Sequence, residues 1–186
     1  IPQLLTSAAA PIGYPRSMQY CPQCRTELVS GEHGGVPRRI CPDEACNFIH
    51  WNNPAPVVAA VVEYNGEVIL ARNAAWPEWM FGLITGFLEA GETPEDGMLR
   101  EVKEELGLDG RIGGLIGVYE FIQRNEVIIA YHVEAEGVVE LGDELAAWKA
   151  VPLDRCKAWP VATGLALRDW LRTRGIEPPM LELPGR

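Results

Sequence analysis

Apolar positions follow two rhythms along this chain. At 57–64 and 67–71 they form near-continuous runs, VVAAVVEY and EVILA, of a length that suits buried strands. Asn65-Gly66 between them is a two-residue hairpin signal. A further strand is expected at 81–85. From residue 94 the period changes to 3.6, and Met98, Leu99, Val102 and Leu106 line one side of a helix. Thr93 can cap that helix, and Pro94 is tolerated at its first position. Glu95 and Asp96 suit the dipole at its start, and Gly107 can stop it. Runs at 115–123 and 127–135 read as paired strands around Arg124-Asn125-Glu126, followed by a short strand at 148–151. Residues 163–174 close the pattern as an amphipathic helix, with Leu165, Leu167, Trp170 and Leu171 available for burial. Strands, helix, strands, helix specify an α+β fold, a sandwich with a mixed sheet between helices.

The polar side of the first helix changes the picture. Glu101, Glu104 and Glu105 stand at i, i+3 and i+4, so one helical arc presents three carboxylates beside the apolar stripe. An acidic arc alone is most often solvated surface. Here a Gly-rich loop precedes it and Arg100 interrupts it. Clustered carboxylates of this kind suit hard cations, and Mg²⁺ keeps waters and substrate phosphates in its shell.

The whole window 86–108 reads GFLEAGETPEDGMLREVKEELGL. Gly86 is followed after five residues by Glu92, and after seven more by Arg100-Glu101-Val102, then Glu104-Glu105 and Gly107-Leu108. This pattern is that of the Nudix hydrolases, and every position is filled. The resemblance implies a Nudix α/β/α sandwich that hydrolyses a nucleoside diphosphate linked to another group, using Mg²⁺ or Mn²⁺. It implies that Glu101, Glu104 and Glu105 are metal ligands, with Glu105 or Glu101 also orienting the water. The Gly86 carbonyl is implied as a further ligand. Glu92 and Arg100 are implied as supports of the catalytic set, Arg100 by pairing with a glutamate of the loop or helix. A carboxylate from a later loop completes the set in many members. Glu144 is the first choice here, with Asp143 and Glu120 behind it.

Upstream, Cys21-Pro-Gln-Cys24 and Cys41-Pro-Asp-Glu-Ala-Cys46 are two cysteine knuckles separated by sixteen residues. Two short knuckles supply the four soft ligands of a tetrahedral Zn²⁺ site. His50 or His33 in place of one cysteine, or disulfide pairing, are the alternatives. Gly31, Gly34, Gly35 and Pro37 between the knuckles suit a small ribbon of turns and short strands. So short a segment has too little core to fold alone, which makes zinc its main stabiliser. Four cysteines leave no open position, so the zinc is read as structural. The chain therefore divides into an N-terminal arm at 1–17, a zinc ribbon at 18–51, a Nudix domain at 54–176 and a C-terminal tail at 177–186. The hinge is Asn52-Asn53-Pro54-Ala55-Pro56.

Ribbon, hinge and box together resemble the NADH pyrophosphatase-like branch, whose members act on NADH, FAD, ADP-ribose or similar dinucleotides. NADH-cleaving members carry a Ser-Gln-Pro-Trp-Pro-Phe-Pro run after the box. At the matching place this chain has Ile116-Gly-Val-Tyr-Glu-Phe-Ile122, a departure that bears on which substrate is cleaved and not on the chemistry. A nucleoside triphosphate pyrophosphatase, a non-catalytic nucleotide sensor and an RNA-processing role, in which the ribbon grips RNA bearing a dinucleotide cap, are the rival readings. Trp76, Trp79, Phe81 and Tyr119 are candidate faces for a nucleobase, although residues placed like Phe81 and Tyr119 are more often core or sheet residues, and His132 reads as a packed residue. Family precedent implies a homodimer.

The net charge of −10, with only Arg25, Arg38 and Arg39 in the ribbon, argues against nucleic acid as a partner. A small-molecule nucleotide is the expected partner instead. No apolar stretch is long enough to span a membrane. The apolar N-terminal stretch has no basic region before it and reads as an arm, not a signal peptide. With the thiol-rich knuckles and a structural Cys156, this gives a cytoplasmic location as the expectation.

Overall fold

The computed structural model describes residues 18–182. The proposed arm at 1–17 and the last four residues of the proposed tail lie outside the described residues. The chain divides between Asn53 and Pro54 into two compact units.

The first unit is a three-stranded antiparallel sheet, β1 (Val29–His33), β2 (Val36–Ile40) and β3 (Ile49–His50), in that order. Its core is small: Cys21, Leu28 and Cys41 are buried, with Cys46 and Phe48 packed against them. Each knuckle turns back on itself through main-chain bonds, Arg25 N–H to the Cys21 carbonyl (2.8 Å) and Cys46 N–H to the Asp43 carbonyl (2.9 Å). The residue after each second cysteine, Arg25 or Asn47, has a left-handed backbone (φ 65° and 55°). That conformation suits Asn and is uncommon for Arg.

The second unit is built on a six-stranded mixed sheet. Its strands are β4 (Ala55–Tyr64), β5 (Glu67–Asn73), β6 (Ile84–Phe87), β7 (Asp109–Phe121), β8 (Glu126–Glu136) and β9 (Leu145–Pro152). The order is β7-β8-β4-β5-β9, with β6 also on β4. β4 runs parallel to β8 from Ala55↔Glu126 to Tyr64↔Ala135, and the other pairings are antiparallel. The unbroken apolar run of β4 is explained by that central place. Val57 to Val62 are all buried because both sheet faces are covered.

Helix α1 (Pro94–Leu106) covers one face, where Met98, Val102 and Leu106 meet Val58, Ala60, Val62 and Ile84. Helix α2 (Thr163–Thr173) covers the other, where Leu167, Trp170 and Leu171 meet Val61, Val68 and Leu83. Leu165 is only half-buried and Ala166 is buried instead. This is the expected α+β sandwich. Among the described residues no helix is long and apolar enough to cross a membrane.

Three strands begin three or more residues away from expectation. β6 begins at Ile84, not 81, because residues before it form a turn (Met80 N–H to the Pro77 carbonyl, 3.0 Å) and Gly82 makes a single bridge to Ala71. β7 starts at Asp109, directly after the helix stop, and absorbs its length through two bulges, at Ile112/Gly114 and Leu115/Gly117. β9 runs from Leu145 to Pro152 because its partner β5 is long enough to pair throughout.

Candidate functional site: a carboxylate cluster on α1 and a thiol cluster in the ribbon

The site rests on how α1 is held. The Thr93 hydroxyl accepts the Asp96 N–H at 3.1 Å, and Gly107 closes the far end with φ 70° and its N–H on the Lys103 carbonyl. A cross-link not evident beforehand ties the first turn to the sheet: the Tyr131 hydroxyl donates to Glu95 Oε1 at 2.9 Å. Its only advance signal was that Glu95 precedes Met98 and Leu99 by three and four residues, on the buried side. Burial, and then the hydrogen bond to Glu95 and its charge, push the Tyr131 phenol up to about 12.

Arg100 organises the acidic arc. Its guanidinium grips both oxygens of Glu92 (Nε at 3.1 Å, Nη2 at 2.8 Å), and Nη2 also donates to the Phe87 carbonyl at 3.2 Å. Nη1 reaches Glu101 Oε1 at 2.8 Å and Glu104 Oε2 at 3.0 Å. The fork on Glu92, with the Glu89 N–H at 2.7 Å, holds that carboxyl down at about 2. Paired with carboxylates, Arg100 stays charged. The two-oxygen grip is one that a guanidinium makes and an ammonium cannot.

β6 lies beneath the arc. Gly86 faces Val58 across the strand pair, and a Cβ at this position would overlap the Glu101 carboxyl group. Only glycine lets the strand backbone lie so close to that glutamate. Burial pushes the Glu101 carboxyl up, although Arg100 opposes it. Glu105 is pushed further, to about 8, first by burial and then by the charges of Glu101, Glu144 and Glu104. Glu144 stands in the turn before β9, and its charge also acts on Glu101. Among the described residues, Glu105 and Glu144 have no ion-pair partner. The cluster thus carries more negative charge than its one arginine offsets. Its donors are hard oxygens beside a main-chain strand, the set that suits Mg²⁺ or Mn²⁺.

The four aromatic candidates are not gathered into one group. Trp79 is 60% exposed in the loop before β6. The Trp76 ring lies against Gly82. Phe81 packs on the α2 side, with Lys149 Nζ 4.1 Å from its ring centre. Tyr119 also packs on that side, and its hydroxyl donates to Asp169 Oδ2 at 3.0 Å. His132 is a packed residue, 8% exposed, with Nε2 2.8 Å from Glu63 Oε2.

In the ribbon, Cys21, Cys24, Cys41 and Cys46 bring their sulfurs within 4.8 Å of one another. A tetrahedral zinc with bonds near 2.3 Å needs sulfurs about 3.8 Å apart. The pairs Cys21–Cys46 (3.5 Å) and Cys24–Cys41 (3.4 Å) are close to that, and no disulfide joins any of them. His33 packs edge-on to Trp51, and His50 pairs with Arg39 in the sheet; neither belongs to the cluster. The fifth cysteine, Cys156, is buried with its sulfur 3.7 Å from the Val151 carbonyl.

The NUDIX domain family matches residues 53–169. The chain belongs to the Nudix family. Among curated Nudix relatives, the NAD-capped RNA hydrolase NudC of Vibrio atlanticus is 37% identical over 109 residues, covering 57% of this chain and 38% of the relative. The protein of the same name from Pseudomonas aeruginosa is 27% identical over 161 residues, covering 85% of this chain and 56% of the relative. The chain thus spans from 38% to 56% of the length of these two relatives. Among solved structures, a Nudix hydrolase from Nitrosomonas europaea superposes with a TM-score of 0.71 at 26% identity, covering 89% of this chain and 97% of that one. An ADP-ribose pyrophosphatase from Streptococcus suis shares the fold, with a TM-score of 0.55 at 17% identity and coverages of 69% and 100%.

Proposed function

We propose that this protein hydrolyses the diphosphate linkage of a nucleoside diphosphate joined to another group, a dinucleotide such as NADH, FAD or ADP-ribose, and releases a nucleoside monophosphate. The observation that carries this reading is the excess charge at one place: Gly86 lies against the Glu101 carboxyl, Arg100 pairs with Glu101 and Glu104, and the charges of Glu101, Glu144 and Glu104 all bear on the largely buried Glu105. Such a cluster is stable at neutral pH when divalent cations complete it. Names of relatives add support, since the Vibrio and Pseudomonas proteins are called NAD-capped RNA hydrolases and a human relative, 31% identical over 106 residues, an NAD(P)H pyrophosphatase.

In this reading Mg²⁺ or Mn²⁺ is held by the Gly86 carbonyl and by Glu101, Glu104, Glu105 and Glu144. Bound there, it polarises phosphoryl oxygens and makes a water a better nucleophile. The chain's own residues do the rest. Arg100 fixes the direction of Glu101 and Glu104 while Glu92 fixes Arg100. Glu105, or Glu101, takes the proton of the attacking water as it adds to one phosphorus, and the other phosphate departs with its own half of the substrate. The ribbon cysteines hold Zn²⁺ as a structural ion with no open position. A homodimer belongs to the same proposal, and light scattering measures it.

The test is chromatography of products after incubation with Mg²⁺ or Mn²⁺ and NADH, NAD⁺, FAD, ADP-ribose, NAD-capped RNA or nucleoside triphosphates. A monophosphate plus a phosphorylated partner is the expected result. Monophosphate plus pyrophosphate from triphosphates alone would replace the dinucleotide reading with a triphosphate pyrophosphatase. Tight binding of nucleotides without turnover would make the protein a sensor.

A further inference from the structure

The segment that carries Glu144 is fastened to the end of α1 by its main chain. The Glu140 N–H donates to the Leu106 carbonyl at 2.8 Å, and the Gly142 N–H donates to the Glu105 carbonyl at 3.0 Å. These are two of the carbonyls that a helix end leaves without internal partners. A turn follows, closed by the Leu145 N–H on the Gly142 carbonyl at 3.1 Å. Glu144 occupies the third position of that turn, and its own carbonyl accepts the Ala74 N–H at 2.8 Å. The loop is therefore pinned on both sides of Glu144.

Gly142 sets how close this strap lies. A Cβ there would come 2.5 Å from the Glu104 carbonyl oxygen and 3.4 Å from the Glu105 Cα, both main-chain atoms of the helix that cannot swing aside. Ordinary contact begins at 3.4 Å, so any side chain would lift the strap by roughly 1 Å. The hydrogen bond to the Glu105 carbonyl would stretch beyond its useful range.

We infer that Gly142 is a positioning residue: its lack of a side chain lets the loop seat on the last turn of α1, and that seating delivers the Glu144 carboxylate to Glu101 and Glu105. The inference rests on the proposed reading of Glu144 as a metal ligand. Residues that hold a ligand from behind cost about 10–100-fold in metal affinity when changed. Gly142 itself offers no ligand atom, and because the helix main chain it would strike is held by α1's own hydrogen bonds, the displacement is expected to fall on the strap that carries Glu144.

The experiment measures Mn²⁺ affinity of the full chain by electron paramagnetic resonance of the free ion, with no nucleotide present. Glu144→Gln, Gly142→Ala, the double variant and Glu140→Ala, which keeps the main-chain staple, are compared with the parent. Gly142→Ala is expected to weaken Mn²⁺ binding about 10-fold. The double variant should bind no worse than Glu144→Gln alone, because both changes remove one interaction. Glu140→Ala should match the parent. Additive losses in the double variant, or an unchanged affinity in Gly142→Ala beside a weakened Glu144→Gln, would overturn the inference and leave the site reading intact. An unchanged affinity in Glu144→Gln would instead remove Glu144 from the ligand set. Should Gly142→Ala fail to fold, Glu140→Pro removes the neighbouring staple's N–H donor and must show the same non-additivity with Glu144→Gln.

Discussion

The two units set their clusters of candidate metal ligands in opposite surroundings. In the ribbon the cluster is the core: Cys21 and Cys41 are two of its three buried residues, and Leu28 is the third. In the Nudix unit the cluster sits on a core that is already complete, with Val58, Ala60, Val62, Met98, Val102 and Leu106 packed beneath α1. One set of ligands makes a fold possible. The other strains a fold that apolar burial maintains, as the upward push on Glu101 and Glu105 records. A metal in the first place would be a structural element, and in the second a functional one.

If the ribbon cysteines hold zinc as proposed, the largest expected effect comes from removing that ion. Structural zinc in small modules contributes on the order of 10–16 kcal/mol at neutral pH, so a strong chelator should unfold residues 18–53. Two-dimensional NMR should then show ribbon amides collapsing to random-coil positions while those of the Nudix unit stay dispersed. Retention of ribbon dispersion without zinc would erase the contrast. Next comes Met98→Ala, a cavity in the apolar layer beneath the carboxylates, where Met98 is 0% exposed. It should cost about 2–5 kcal/mol in urea unfolding of the Nudix unit, with or without Mg²⁺.

Gly86→Ala sharpens the contrast from the functional side. The new methyl overlaps the Glu101 carboxyl, so turnover should fall about 100-fold, as a small misplacement of a working group can cause. The melting temperature should change little, since neither residue belongs to the apolar core. The smallest effect is a change of slope with pH. Glu92 titrates at about 2 in the folded protein, against about 4.3 when unfolded. A carboxyl lowered in this way adds stability above pH 4.3, and that stability is lost as pH falls toward 2. Glu92→Gln should therefore be less stable than the parent at pH 6, and the two melting curves should converge near pH 2.

What could be read from the sequence was local. α1 was legible at both ends because Thr93, Pro94 and Gly107 act on their own neighbours, and its two faces followed from period alone. The cysteine knuckles were legible because metal geometry demands short spacing. Contacts far apart in sequence were not legible. The parallel pairing of β4 with β8 joins residues about seventy apart, and no local pattern encodes it. The start of β6 moved because Gly82 pairs with Ala71 rather than extending the strand. Glu144 could be named as a candidate, but the staples from Glu140 and Gly142 to the helix end are main-chain bonds, to which side-chain patterns give no clue. The Tyr131 to Glu95 link was hidden for a similar reason, since it joins a strand to a helix.

The central claim is that the charge cluster on α1 does chemistry with a divalent ion. The most direct measurement is the rate of monophosphate release from the best dinucleotide substrate across a Mg²⁺ titration, for the parent and for Glu105→Gln. The account predicts release that requires Mg²⁺ and falls by about 10²–10⁴-fold in the variant, with both proteins equally folded. Equal rates in the two proteins, or a rate indifferent to Mg²⁺, would contradict it.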